Sequence, residues 1–106
     1  MENENKRVIL VAYDFTEIGN IAIENAGRLA QLINYKVYLL HVINNDSKKA
    51  LKKSLGSLDN LNAKLKKESE EVASKYGVIV EYEAREGSIF TTIADVCQEI
   101  GAEYLV

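Results

Sequence analysis

Four short apolar runs mark the chain, separated by three stretches with helical spacing. Val8-Ile9-Leu10-Val11-Ala12-Tyr13 is apolar without polar alternation, the pattern of a strand covered on both faces in a parallel sheet. It predicts a first strand over about Arg7–Tyr13. From Thr16 to Ile33, the residues Ile18, Ala22, Ala26, Leu29 and Ile33 recur at spacings of three and four. That spacing predicts a helix with these five on its inner face and Thr16 as its N-cap. Lys36 to Val42 is β-rich and mostly apolar, and predicts a second buried strand.

Asn44-Asn45-Asp46-Ser47 breaks the pattern with side chains that favour turns and helix starts. Beyond it the chain is charge-rich, with Leu51, Leu58, Leu65 and Val72 at every seventh position. Gly56 and Asp59 divide this stretch into a loose basic first half and a firm helix from about Asp59 to Lys75. A coiled coil is the lesser reading, because the second apolar column (Ser54, Leu61, Glu68, Lys75) is weak. Lys48, Lys49, Lys52 and Lys53 read as a solvated face rather than a polyanion site. Gly77 ends the helix. Val78 to Ala84 alternates in part, as at a sheet edge with one wetter side. Gly87-Ser88 opens a third helix with Ile89, Ile93, Val96, Cys97 and Ile100 on one face. Gly101 closes it, and Tyr104 to Val106 begins a fourth strand.

Strands alternating with helices predict a doubly wound parallel α/β sheet. With right-handed crossovers and strand order 3-2-1-4, the first two helices share one face and the third takes the other. Asp14 then lies at the carboxyl end of the first strand, where open α/β sheets place their ligand crevice. Residues 1–106 form one α/β domain in this reading.

Composition narrows the chemistry. A formal net charge of −3 argues against a dedicated nucleic-acid binder, which needs surplus Lys and Arg for phosphates. No apolar stretch is long enough to span a bilayer, and the polar, acidic start is unlike a signal peptide. The one cysteine, Cys97, excludes an internal disulfide framework and suits a reducing, cytoplasmic setting; it reads as a core residue. His41 is the sole histidine, which rules out a multi-His metal site within one chain. It reads as a packed or hydrogen-bonded structural residue. No base, nucleophile or metal cluster is visible, so enzymatic turnover is not expected.

Val-Ala-Tyr-Asp-Phe-Thr-Glu at 11–17, Leu-Leu-His-Val at 39–42, Gly-Ser-Ile-x-x-x-Ile at 87–93 and the run Glu99–Val106 together resemble the universal stress protein family. No one of these motifs is specific; their order along the whole chain carries the likeness. The resemblance implies a small cytoplasmic protein of the adenine nucleotide alpha hydrolase-like, Rossmann-type fold, usually dimeric and linked to stress survival. It also implies an adenine-nucleotide (ATP) site at the end of the first strand, with Mg only if ATP is bound. The residues that match are Asp14, with Ala12 and Tyr13 beside it, and Val42, whose backbone would meet the adenine. Thr16 and Gly87 lie on the same side, Thr16 chiefly as a cap and Gly87 chiefly for a strand-to-helix turn. Tyr13 would either stack on a base or lie across the crevice mouth.

The family's phosphate loop, Gly-x2-Gly-x9-Gly-Ser/Thr after the fourth strand, falls beyond Val106. So do the last helix and the usual fifth strand. The chain therefore reads as a C-terminally incomplete domain, either a piece of a longer or tandem protein or a natural truncation. An uncovered apolar face and an unpaired fourth strand would favour a homodimer or other self-association. The alternative function is a non-nucleotide-binding dimerisation or interaction protein of the same fold. A phosphoacceptor receiver domain fits poorly, since Ala84-Arg85-Glu86-Gly87 offers no Asp after the third strand.

Overall fold

A computed structural model describes residues 7–44 and 58–106. The order is β1 (Val8–Ala12), α1 (Glu17–Ile33), β2 (Lys36–Ile43), α2 (Leu58–Tyr76), β3 (Val80–Glu86), α3 (Ile89–Ile100) and β4 (Ala102–Leu105). The strands make one parallel sheet in the order β3-β2-β1-β4, the doubly wound arrangement and the order expected. Strand ends shift from the expected ones by one or two residues: β1 stops at Ala12, β2 runs on to Ile43, and β3 runs from Val80 to Glu86. β4 starts two residues early, at Ala102, with a register shift against β1 between Val8 and Ile9. The basic stretch with Lys48, Lys49, Lys52 and Lys53 lies outside the described residues, as does the loose first half expected there.

Alternate side chains of β1 and β2 feed two unequal cores, because successive strand residues point to opposite faces. Ile9, Val11, Val37 and Leu39 pack with α1 and α2 in a cluster that also buries Tyr13, Ile23, Leu61, Leu65 and Val72. Leu10 and Leu40 face α3, where Val96 is the one other buried member among the described residues. Cys97 is half-buried beside this second cluster. In α2 the inward residues are Leu61, Leu65, Ser69 and Val72, a globular helix stripe rather than a coiled-coil seam.

The inner face of α1 is a correction. Its buried residues are Gly19, Ile23, Ala26, Gly27 and Ala30, whereas Ile18 is 80% exposed and Ile33 is 38% exposed. The helix is turned so that small residues face inward, which lets α1 and α2 approach closely. A Cβ on Gly27 would lie 2.6 Å from the Tyr76 ring and 2.8 Å from a Val72 methyl. Of the five residues expected inside, Ala26 is buried and Ala22 and Leu29 pack against the larger cluster, while Ile18 and Ile33 turn outward and Gly19, Ile23, Gly27 and Ala30 complete the inner face.

Each helix ends as its sequence suggests. Asn34 adopts the left-handed conformation (φ 61°) and its N–H donates to the Ala30 carbonyl, a role Asn tolerates better than most residues. Gly101 closes α3 in the same way, donating to the Cys97 carbonyl.

Candidate functional site

At the carboxyl ends of β1 and β2 a cavity of about 230 Å³ is lined by Ala12, Tyr13, Asp14, Leu40, His41, Val42, Asn44, Ile89 and Ile93. The two strands supply its floor, and the first turns of α3 supply one wall through Ile89 and Ile93. Parallel strands aim their carboxyl ends at one rim of the sheet, so residues distant in sequence meet there.

Asp14 stands at this rim and is exposed. One of its carboxylate oxygens, Oδ1, accepts from the Thr16 hydroxyl at 2.6 Å and from the Thr16 N–H at 3.1 Å. Thr16 Oγ1 in turn accepts from the Gly19 N–H at 3.1 Å, so Thr16 is the α1 N-cap and Asp14 buttresses it. The hydroxyl hydrogen bond from Thr16 is the main cause holding the Asp14 carboxyl below its ordinary range. Partial burial opposes it, and backbone N–H groups and nearby His41 assist. The carboxylate is therefore ionised at neutral pH. Gly19 makes the close approach possible, since a Cβ there would sit 2.8 Å from Asp14 Oδ1.

Phe15, between Asp14 and Thr16, has φ 65°, a left-handed backbone that costs a bulky residue about 1–2 kcal/mol. Its ring compensates by packing. It meets the Tyr13 ring edge-on and the His41 ring at a tilt, both at 4.9 Å between centroids. Lys64 Nζ lies over the Phe15 ring, 5.2 Å from its centroid. His41 is buried, and its Nδ1 lies 2.7 Å from the Tyr13 carbonyl. A carbonyl only accepts, so Nδ1 carries the proton and pins the β2 end to the β1 end.

The Tyr13 ring resolves an open choice. It is buried in the larger core and its hydroxyl donates to Asn20 Oδ1 at 2.5 Å. It neither stacks over the cavity nor lies across its mouth. Desolvation, with Glu68, Asp14 and Glu71 nearby, pushes its hydroxyl up to about 12.

Of the six residues singled out from sequence, Ala12, Tyr13, Asp14 and Val42 line this cavity. Thr16 stands behind Asp14 as its hydrogen-bond partner. Gly87 has φ 151°, and a Cβ there would collide with Thr92 Oγ1 at 2.5 Å, so its evident work is the turn into α3. Leu40, His41, Asn44, Ile89 and Ile93 also line the cavity and were not singled out as ligand contacts. For Ile89 and Ile93 a signal existed: both sit in the first turns of a helix that must begin at the same rim as Asp14. Among the described residues no group of three or more His, Cys, Asp and Glu could hold a metal ion.

Comparison with known proteins agrees with this architecture. A family model described as the universal stress protein family matches residues 6–106. The universal stress protein UspA from Lactobacillus plantarum is similar in structure with TM-score 0.76 and 18% identity, over 94% of this chain and 74% of that one. A universal stress protein solved in complex with cAMP gives TM-score 0.71 and 15% identity, over 94% of this chain and 70% of that one. The hypothetical protein MJ0577 gives TM-score 0.68 and 24% identity, over 94% and 72% respectively. At these identities the likenesses establish the fold alone. Among curated proteins there is no match.

Proposed function

The chain belongs to the universal stress protein family, and from that premise we propose that its cavity at the carboxyl ends of β1 and β2 is an adenine-nucleotide site. The observation that carries this reading is a convergence. Ala12, Tyr13, Asp14 and Val42, drawn from motifs far apart in sequence, line one cavity. An ionised Asp14 has lone pairs to accept hydrogen bonds from ribose hydroxyls. The backbone beside Val42 carries the N–H and C=O groups that can read an adenine edge, and Leu40, Ile89 and Ile93 offer apolar surface to the ring. The relative solved with cAMP supports a small nucleotide as the ligand class. ATP is the larger candidate of that class, accompanied by Mg²⁺ when it binds.

The protein acts in this reading as a cytoplasmic stress-response binding module rather than an enzyme. Amide chemical-shift mapping with excess ATP tests it. Shifts clustered at Ala12, Asp14 and Val42 are expected; shifts confined to other surfaces, or none, would contradict it.

A second reading, self-association, is favoured by the two edges of the sheet. β3 carries Glu81, Glu83, Arg85 and Glu86, the charged protection usual at an edge. β4 instead exposes Tyr104 and Leu105, followed by exposed Val106, and we propose this edge as the one that joins a second copy. A monodisperse monomer by light scattering at high concentration would contradict that.

A further inference from the structure

Resting on the nucleotide reading above, we infer that His41 is a positioning residue of the site: its Nδ1–H bond to the Tyr13 carbonyl sets where the Asp14 carboxylate stands. His41 borders the cavity, but its neighbour Leu40 faces α3, so strand alternation turns the His41 ring to the other face. There it packs on Phe15. It acts on Asp14 through the backbone of the adjoining strand.

The first ground is the pair of holds that converge on Tyr13. β1 ends at Ala12, so Tyr13 and Asp14 lie just past the strand. Two successive residues of β2 grip Tyr13 there. Its N–H donates to the Leu40 carbonyl at 2.8 Å, and its carbonyl lies 2.7 Å from His41 Nδ1. His41 is 8% exposed, so this bond is largely shielded from competing water. The Tyr13 carbonyl belongs to the same peptide unit as the Asp14 N–H, and a peptide unit is planar. Fixing its oxygen therefore fixes the direction in which the chain enters Asp14.

The second ground lies on the other side of Asp14. Phe15 is left-handed at φ 65°, a strained conformation that persists where its surroundings over-determine it. The His41 ring is one of those surroundings, 4.9 Å from the Phe15 ring between centroids. His41 thus touches both residues that flank Asp14. The turn at Phe15 brings the Thr16 N–H and hydroxyl back onto Asp14 Oδ1, at 3.1 and 2.6 Å. Those bonds orient the carboxylate at the rim.

Two substitutions separate the donor from the ring. His41→Asn keeps a side-chain N–H donor; His41→Phe keeps a ring beside Phe15 and removes the donor. Calorimetric titration with ATP and magnesium reads the ligand, and carbon-13 NMR titration reads the Asp14 carboxyl. His41→Phe should bind ATP about tenfold more weakly, the scale of one lost hydrogen bond, and its Asp14 carboxyl should rise toward the ordinary range. His41→Asn should keep both close to wild type. Val37→Ala, at the opposite end of β2, should lose stability and leave both unchanged, which separates positioning from general support of the core.

A folded His41→Phe with unchanged affinity and an unchanged Asp14 carboxyl would overturn the inference and leave the nucleotide reading standing. So would equal losses in His41→Asn and His41→Phe, or a comparable loss of affinity in Val37→Ala. A wild type that binds no ATP would overturn the nucleotide reading, and the Asp14 titrations would then decide the positioning by themselves. Nitrogen-15 NMR of the wild type in mildly alkaline buffer needs no variant. It should find the ring proton on Nδ1, and a neutral ring protonated at Nε2 would overturn the inference.

Discussion

Among the described residues, the two faces of the sheet are packed unequally. The face under α1 and α2 buries a cluster of twelve residues, many of them fully enclosed. Among the described residues the α3 face has a buried apolar cluster of three, Leu10, Leu40 and Val96, and it opens at the carboxyl ends of the strands into the cavity. Leu39 and Leu40 are neighbours on β2, both 0% exposed, yet one belongs to each face. A sheet buries its apolar faces under packed helices; the cavity opens on the α3 side, between the strand ends and the first turns of α3. Stability and ligand chemistry are separated by the thickness of a single strand.

The largest expected effect sharpens that contrast directly. Leu39→Ala and Leu40→Ala remove the same atoms from adjacent positions, and buried Leu→Ala changes span about 2–5 kcal/mol, depending on how well the site collapses. Leu39→Ala should fall near the top of that range in chemical denaturation and Leu40→Ala near the bottom, because Leu40 borders an existing cavity. Equal losses would erase the distinction between the faces.

Next comes Gly27→Ala. In an exposed helix it would add stability, since Ala is the better helix former. Here the new methyl meets Tyr76 and Val72, and overpacking should cost about 1–3 kcal/mol. A stabilised variant would show that α1 and α2 are less closely docked than described.

A smaller effect belongs to the rim. Thr16→Ala removes the α1 cap and should cost about 1 kcal/mol. It should also let the Asp14 carboxyl rise toward its ordinary range, read by carbon-13 NMR titration. The sign follows from linkage. Asp14 has a folded-state pKa below its unfolded value, so its stabilisation is complete above the ordinary carboxylate range and is lost as pH falls through the depressed value. Thr16→Ala should flatten that acid limb. A carboxyl that titrates identically in both proteins would remove Thr16 as the cause.

Much of this was legible in the pattern of the chain. Uninterrupted apolar runs gave parallel strands, and helical spacing between them gave the crossovers; the strand order 3-2-1-4 was an expectation that spacing alone does not fix, since other doubly wound orders share the same alternation. Asp14 was placed at the crevice by nothing more than its position after β1. The failures have physical causes. Gly19, Gly27 and Ala30 face the core of α1 because close approach rewards small residues, while a periodicity reading follows large ones such as Ile18 and Ile33. Tyr13 looked like a rim aromatic, but the side-chain alternation that continues from β1 sends its ring into the larger core. The left-handed Phe15 left no trace in composition or spacing, since its strain is set by tertiary packing against His41 and Tyr13.

The central claim is that Asp14 and its neighbours at the ends of β1 and β2 form a ligand site. Calorimetric titration of adenosine into the wild-type chain and into Asp14→Ala, with circular dichroism verifying that both are folded, tests it most directly. The account predicts binding to the wild type and affinity at least about tenfold lower in the variant, the scale of one lost charge-assisted hydrogen bond. Equal affinity in the two proteins would contradict it.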